Sequence, residues 1–112
     1  MAFRNSAASI GTSLTSVYTC PLDYECVVHS IYIANTDAVN TITLDIQVVL
    51  NKANKGAHYA AKNITIPAQT SLIFDKPITL RPTDILKVAA SQATCECVMS
   101  YLLTAEDAAA PN

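Results

Sequence analysis

The sequence has few charged residues, few glycines and few aromatic residues, and it contains no tryptophan. Charged residues make up 14% of the 112 residues, whereas globular domains average about a quarter. With a formal net charge of -2, the chain has no global field that would attract nucleic acid or an anionic membrane. Because 51% of the residues are hydrophobic, the composition also excludes an intrinsically disordered chain.

Long apolar runs are absent as well. No uninterrupted apolar stretch approaches the roughly 20 residues that a membrane-spanning helix needs, so we expect no membrane partner. Residues 1–6 contain one basic residue, and no apolar run follows it, which is unlike a secretory signal peptide. We therefore expect the protein to be made in a cytoplasm and to stay soluble, either there or in an assembly that leaves the cell.

The residue types that carry catalytic chemistry are few and scattered. With Gly11 and Gly56 as the two glycines, the sequence has no phosphate-binding loop and no nucleophile elbow. Ser30 follows His29 directly, and neighbours in a strand point to opposite faces. The second histidine is His58. We predict that both histidines lie at an edge or on the surface.

Acidic residues offer no clear pair for hydrolysis. The carboxylates that a hydrolase could use are Asp23, Glu25, Asp37, Asp45, Asp75, Asp84 and Glu96. Most of them fall in turns, where aspartate bonds to nearby backbone amides. We therefore predict no enzyme activity, no catalytic residues and no cofactor.

Four cysteines are present, Cys20, Cys26, Cys95 and Cys97. Without a secretory signal they are expected to stay reduced, and a reduced cysteine behaves as a small buried apolar residue. Cys95 and Cys97 lie two apart in a predicted strand, which separates their Cβ atoms by roughly 6.5–7 Å. That is too far for a disulfide between them and a poor spacing for zinc. We predict buried thiols and no metal; the alternatives are a zinc site and a disulfide from Cys20 or Cys26 to the last strand.

The segment that carries Lys52, Lys55, His58 and Lys62 is the one basic concentration. No aromatic residues alternate with these lysines to form stacking platforms for bases. We therefore predict a solvated hairpin loop and no nucleic-acid partner.

Short runs of β-branched residues between turn formers favour an all-β fold. The clearest alternation places Ile42, Leu44, Ile46, Val48 and Leu50 on one face, as in a half-buried antiparallel strand. Turns rich in Pro, Asn and Asp separate about eight such runs. No segment keeps apolar residues at helical spacing for more than two turns. We predict an antiparallel β-sandwich that is jelly-roll-like.

The run of residues 25–35 contains one irregularity. Ile31 and Ile33 share a face and Tyr32 lies on the other, but strict alternation would also place His29 on the apolar face. We expect either a β-bulge near His29 and Ser30 or a position for His29 at the edge of the sandwich.

The two ends of the chain differ from its middle. Residues 1–11 are small and polar without a period of 2 or 3.6, so they predict an extended N-terminal arm. Residues 12–103 predict one sandwich domain without an internal repeat. Residues 104–112 are rich in alanine and predict a flexible C-terminal tail. We expect both ends to become ordered on neighbouring subunits.

Several strings of the sequence resemble small virion structural proteins of tailed bacteriophages. The matching strings are Tyr18-Thr19-Cys20-Pro21, Val27-Val28-His29-Ser30-Ile31, Ile33-Ala34-Asn35-Thr36-Asp37, and residues 62–70, 75–80, 84–88 and 98–102. Together they extend from about residue 15 to residue 103. The glycine that the family places after the proline is replaced here, with Asp23 and Tyr24 in that turn. Cys26, Cys95 and Cys97 are not part of the family pattern.

The resemblance implies a head decoration, or cement, subunit of the virion. Such a subunit packs on the major capsid protein and on its own copies, and the resemblance implies a homotrimer, since closed symmetry is usual for homo-oligomers. It carries no catalytic, cofactor or metal residues to this chain. The alternatives are a tail, neck or fibre-base component of the virion, and a sandwich that binds a carbohydrate or another small ligand. The last alternative requires a cluster of exposed aromatic residues on one face.

Overall fold

In the computed structural model, which describes residues 2–52 and 54–105, the chain forms nine β-strands in two antiparallel sheets. The strands are β1 (Ala2–Ile10), β2 (Thr15–Thr19), β3 (Tyr24–Asn35), β4 (Ile42–Leu50), β5 (Gly56–Ile66), β6 (Ser71–Phe74), β7 (Ile78–Leu80), β8 (Ile85–Ala90) and β9 (Cys95–Ala105). Within the described residues, no helix is long and apolar enough to cross a membrane.

The strand order is that of a jelly roll. The first sheet has the order β1-β9-β3-β6, with β7 also paired to β3, and the second has the order β2-β8-β4-β5. Each sheet thus combines strands from both ends of the chain, and most turns cross from one sheet to the other. This confirms the prediction of an antiparallel, jelly-roll-like sandwich. The structure has nine strands where the sequence predicts about eight.

Apolar side chains from both sheets fill the space between them. The alternation predicted for β4 is confirmed, because Ile42, Leu44 and Ile46 are at most 1% exposed while Thr43 is exposed. The largest of the fully buried side chains come from β1, β3, β4, β5, β7, β8 and β9. Burying a side chain of this size stabilises the fold by about 1.5–3 kcal/mol, so the two inner faces hold the sandwich together.

The irregularity in β3 is a β-bulge at His29, which is the first of the two arrangements that the sequence allows. Val28 pairs with Tyr101 and Ser30 pairs with Ser100, so His29 is the extra residue. Val28 and Ile31 are both fully buried although they lie three residues apart. The bulge therefore keeps apolar side chains inward on both sides of itself.

The N-terminal segment is a strand of the sandwich, so the prediction of an arm over residues 1–11 is wrong for the described part of that segment. β1 pairs with β9 in one continuous register from Ala2↔Leu103 to Ile10↔Cys95. Ile10 is 1% exposed, whereas Ala7 is exposed. The period of 2 is present, but serine and alanine give it almost no contrast in hydrophobicity.

The sandwich also extends past residue 103 at the other end. Thr104 and Ala105, which the sequence assigns to a tail over residues 104–112, are the last residues of β9. Residues 106–112 lie outside the described residues. The described sandwich is therefore longer at both ends than the predicted domain, residues 12–103.

Candidate functional site

A buried asparagine amide connects three turns at one end of the sandwich. Asn35, the last residue of β3, is 2% exposed. Its Nδ2 group donates to the carbonyl oxygens of Asn40 (2.9 Å), Ile66 (3.1 Å) and Pro67 (3.3 Å). An amide NH₂ has two hydrogens, so two of these three contacts share one hydrogen. The amide thereby joins the β3–β4 turn to the β5–β6 turn.

The amide oxygen of Asn35 extends the same cluster to a third turn. Oδ1 accepts the backbone N–H of Asp37 (3.1 Å) and the hydroxyl of Thr94, in the β8–β9 turn (3.2 Å). We call Asn35 with these partners the Asn35 cluster. Every polar atom of the buried amide is used, so the cluster acts by fastening turns.

Asp37 organises the β3–β4 turn from its exposed side. Its carboxylate accepts the backbone N–H groups of Asn40 (2.9 Å) and Val39 (2.8 Å). These backbone bonds, with a further bond from the Asn40 side chain, hold the pKa of the Asp37 carboxyl below its usual value. The Asp37 carboxylate therefore stabilises the turn by bonding to its backbone amides, as the sequence predicts for aspartates in turns.

Protonation of the Asp37 carboxylate should be visible in the pH dependence of thermal stability. Because the pKa of Asp37 is lower in the folded state, its contribution is present above about pH 4 and is lost as the pH falls further. We expect Asp37→Asn to flatten the loss of thermal stability between about pH 4 and pH 2. Thermal melts followed by circular dichroism measure the change of melting temperature with pH. Asp75→Asn, in the exposed β6–β7 turn, is the control. An equal slope for Asp37→Asn and wild type would contradict it.

A second buried polar residue, Asp84, connects three turns at the opposite end of the sandwich. Asp84 is 2% exposed, and its two carboxylate oxygens accept the backbone N–H groups of Lys52 (2.9 Å) and Arg81 (3.0 Å). Its carbonyl oxygen accepts the backbone N–H of Cys20 (2.8 Å). We call these residues the Asp84 cluster. Both carboxylate oxygens bond to backbone amides, so the group is structural.

Within the described residues, no other carboxylate forms an acid–base pair with Asp37 or Asp84. Asp45 accepts the backbone N–H of Asn63 (2.8 Å) and lies 3.4 Å from Lys62 Nζ. The other four are distributed over turns and strand surfaces: Asp23, Asp75 and Glu96 are exposed, and Glu25 is half-buried. Within the described residues, no group of three or more His, Cys, Asp and Glu side chains could hold a metal ion.

All four cysteines are buried thiols, as the sequence predicts. Burial raises the pKa of Cys26 to about 12, with a smaller effect from neighbouring Cys20, and burial raises the pKa of Cys97 to about 11. The single S–H of Cys20 is shared between the carbonyl oxygens of Tyr24 and Leu80, which lie 3.2 Å and 3.6 Å from Sγ. Protonated, enclosed thiols are poor nucleophiles and poor metal ligands.

Thiol labelling should therefore depend on unfolding. We expect no cysteine of the folded protein to react with Ellman's reagent within minutes at about pH 8, because all four thiols are buried and burial raises the pKa of Cys26, Cys95 and Cys97, which disfavours the reactive thiolate. All four should react once guanidinium has unfolded the chain. The measurement is the absorbance of the released thiolate, and rapid release of one or more equivalents from the folded protein would contradict the prediction.

The basic segment lies on an exposed hairpin, where the sequence predicts it. Lys62 Nζ lies 4.3 Å from the centroid of the Tyr59 ring, in addition to its contact with Asp45. His58 Nε2 lies 2.9 Å from the carbonyl oxygen of Lys55. Two of the basic side chains thus have partners within the hairpin or the adjacent strand.

The structure reveals a surface feature that the sequence does not show. Ala7 pairs with Val98, Val98 with Tyr32, and Tyr32 with Ile73, so these four outward-facing residues cross β1, β9, β3 and β6 in one line. The exposed fractions are 43% for Val98, 42% for Tyr32 and 58% for Ile73. We call this line the apolar row. Single exposed apolar residues are normal, but contiguous ones mark interaction surfaces.

Exposed aromatic residues do not form a carbohydrate platform among the described side chains. They are Tyr24 and Tyr32, both on β3, and Tyr59, on β5 of the other sheet. The cluster that the ligand-binding alternative requires is not present in the described part of the chain.

Comparison with known proteins shows a distant likeness to a solved structure. No protein-family model and no curated protein matches the chain. Among solved structures, the chain is similar to a pentameric capsid protein isolated from metagenomic phage sequences, with 15% sequence identity and a TM-score of 0.49. The match covers 91% of this chain and 61% of that chain, so this chain spans about three fifths of the length of the capsid protein.

Proposed function

We propose that this chain is a structural protein of a bacteriophage virion, and that it decorates the head by packing on the major capsid protein. The observation that carries the proposal is the jelly-roll strand order, an architecture of viral capsid domains, lectins and cupins. A fold alone does not define a function. Among viral capsid domains, lectins and cupins, the resemblance of the sequence strings to small phage virion proteins supports the viral capsid domains.

The placement of the matching strings supports a shared architecture. Asn35-Thr36-Asp37 forms the centre of the Asn35 cluster, and Asp84 begins the string of residues 84–88 and anchors the opposite end. In the structure these residues fasten turns. Such a pattern is expected of a protein whose task depends on its shape.

The surface supports packing on a partner. Charged residues make up 14% of the chain, and the apolar row crosses the outer face of the first sheet. Depletion of charge with exposed aromatic and aliphatic side chains is typical of the centres of protein interfaces. The row is therefore the face that we assign to the capsid protein. The homotrimer stays a prediction of the resemblance.

Cosedimentation tests the head assignment. Labelled protein is mixed with purified phage heads that lack it and, separately, with purified tails. We expect saturable binding to heads in a fixed ratio to the capsid protein, and no binding to tails. Binding to tails alone would favour the tail or neck alternative, and binding to neither would contradict a virion role.

A pair of variants tests the assigned face. Tyr32→Lys places a charge in the middle of the apolar row, and we expect it to weaken binding to heads at least tenfold. Thr43→Lys is the matched control, because Thr43 is exposed on β4 of the other sheet. Equal binding by the two variants would show that another surface contacts the head.

A further inference from the structure

Three of the four sheet edges carry features that prevent pairing with another strand. Edge strands present unpaired backbone groups, which native proteins protect with short strands, bulges, lysine or proline. β2 has five residues and an irregular register between Ser16 and Tyr18. β5 carries Lys62 and the left-handed Asn63 (φ 55°) beside bulges in its pairing with β4. The β6–β7 edge is interrupted by residues 75–77, which include a proline.

The fourth edge, β1, has none of these protections. It runs for nine residues in unbroken register with β9 and contains no proline, and within the described residues β9 is its one paired strand. Its one charged side chain is Arg4, near the end. A long, regular and nearly uncharged edge is a template for strand addition.

We propose that β1 pairs with β1 of a second copy of this chain, antiparallel about a two-fold axis at Ala7. The two first sheets then form one continuous sheet. A two-fold contact uses the same patch on both copies. The side chains of β1 must therefore be compatible with those of a second β1 that runs in the opposite direction. The cross-strand pairs would be Arg4 with Ile10, Asn5 with Ser9, Ser6 with Ala8, and Ala7 with Ala7.

The sequence of β1 satisfies this requirement. In this register no charged residue opposes a like charge, which is the destabilising arrangement in antiparallel pairs. Asn5 and Ser9 are both exposed polar residues and can hydrogen-bond across the junction. The side chains at and beside the axis are alanine and serine, so neither steric bulk nor charge hinders approach.

The apolar row gives a second reason to place the axis at Ala7. Ala7 is the end of the row on β1, so the row of one copy would continue into the row of the other across eight strands. A hollow of about 360 Å³ lies beside this end, lined by Ala7, Ala8, Ser9, Glu96, Cys97 and Val98. A second β1 would border the hollow and lengthen the apolar surface.

Solution mass of the full chain tests the pairing. We expect wild type to associate with increasing concentration in sedimentation equilibrium. Ala7→Lys places two lysines against each other at the axis, and we expect it to reduce the mass of the associated species to half or less. Ser71→Lys is the matched control, because Ser71 is exposed on β6 at the other edge of the same sheet. Thermal melts verify that both variants are folded.

A charge pair tests the register. Ala7→Lys and Ala7→Glu should each fail to associate alone, and an equimolar mixture should recover the wild-type mass, because opposite charges then meet at the axis. A wild type that stays a single chain at the highest concentration, association of Ala7→Lys equal to wild type, or a mixture that does not associate would each overturn the proposal. The pairing is measured on the isolated chain, so it can fail while head binding stands.

Discussion

Deletion of residues 2–10 is expected to unfold the domain, or to lower its free energy of unfolding by more than about 5 kcal/mol. Burial of Ile10, which is 1% exposed, stabilises the sandwich by about 1.5–3 kcal/mol. Removing β1 also exposes the backbone of β9 along its whole pairing with β1 and opens the core beside Cys97 and Met99. Small domains have a total stability of about 5–15 kcal/mol, so this loss approaches the whole of it.

Two point variants separate the contributions to this effect. Ile10→Ala should lower the free energy of unfolding by about 2–4 kcal/mol in urea titrations followed by circular dichroism. Ser9→Ala, at an exposed position of the same strand, should change it by less than about 0.5 kcal/mol. A truncated chain with the urea midpoint of wild type would show that residues 2–10 are an arm outside the sandwich.

Replacement of Asn35 by aspartate is expected to lower the free energy of unfolding by about 4 kcal/mol at neutral pH. The substitution keeps the shape of the side chain but puts an oxygen where Nδ2 donates to the carbonyl oxygens of Asn40, Ile66 and Pro67. Acceptor then faces acceptor, and a carboxylate is buried without a counter-charge among these partners. The β3–β4 and β5–β6 turns lose their common attachment.

Asn51→Asp is the matched control for this substitution. Asn51 is exposed, and its Nδ2 group donates to the carbonyl oxygen of Thr83 at 3.0 Å. An exposed group can exchange a lost bond for water, so the control should cost less than about 1 kcal/mol. Urea unfolding measures both variants, and a cost for Asn35→Asp as small as that of the control would contradict the prediction.

The local alternation of apolar and polar residues predicted those strands whose two faces differ strongly in hydrophobicity. β4 alternates isoleucine and leucine with polar residues. The mismatch between His29 and Ile31 indicated either a bulge or an edge position, and the structure shows the bulge. β1 was missed because alanine and serine hardly distinguish an inner face from an outer one. A strand can thus be specified by backbone pairing with a neighbour that the local sequence does not contain.

The features of the candidate site depend on register between distant segments. The apolar row joins Ala7, Tyr32, Ile73 and Val98, and no local pattern connects these positions. Turn chemistry predicted that aspartates bond to nearby amides, which holds for Asp37. It did not predict that Asp84 would bind the amide of Lys52, 32 residues away, because the strand order decides which turns meet.

The two polar clusters also bear on how long a molecule stays folded. Their hydrogen bonds join residues up to 64 positions apart, as between Cys20 and Asp84, so they form after the sheets have assembled and are expected to be absent from the folding transition state. Substitutions in either cluster should then speed unfolding and leave refolding nearly unchanged in stopped-flow measurements; slower refolding would contradict this. The lifetime of the native state, more than the rate at which it is reached, is set at the two ends of the sandwich.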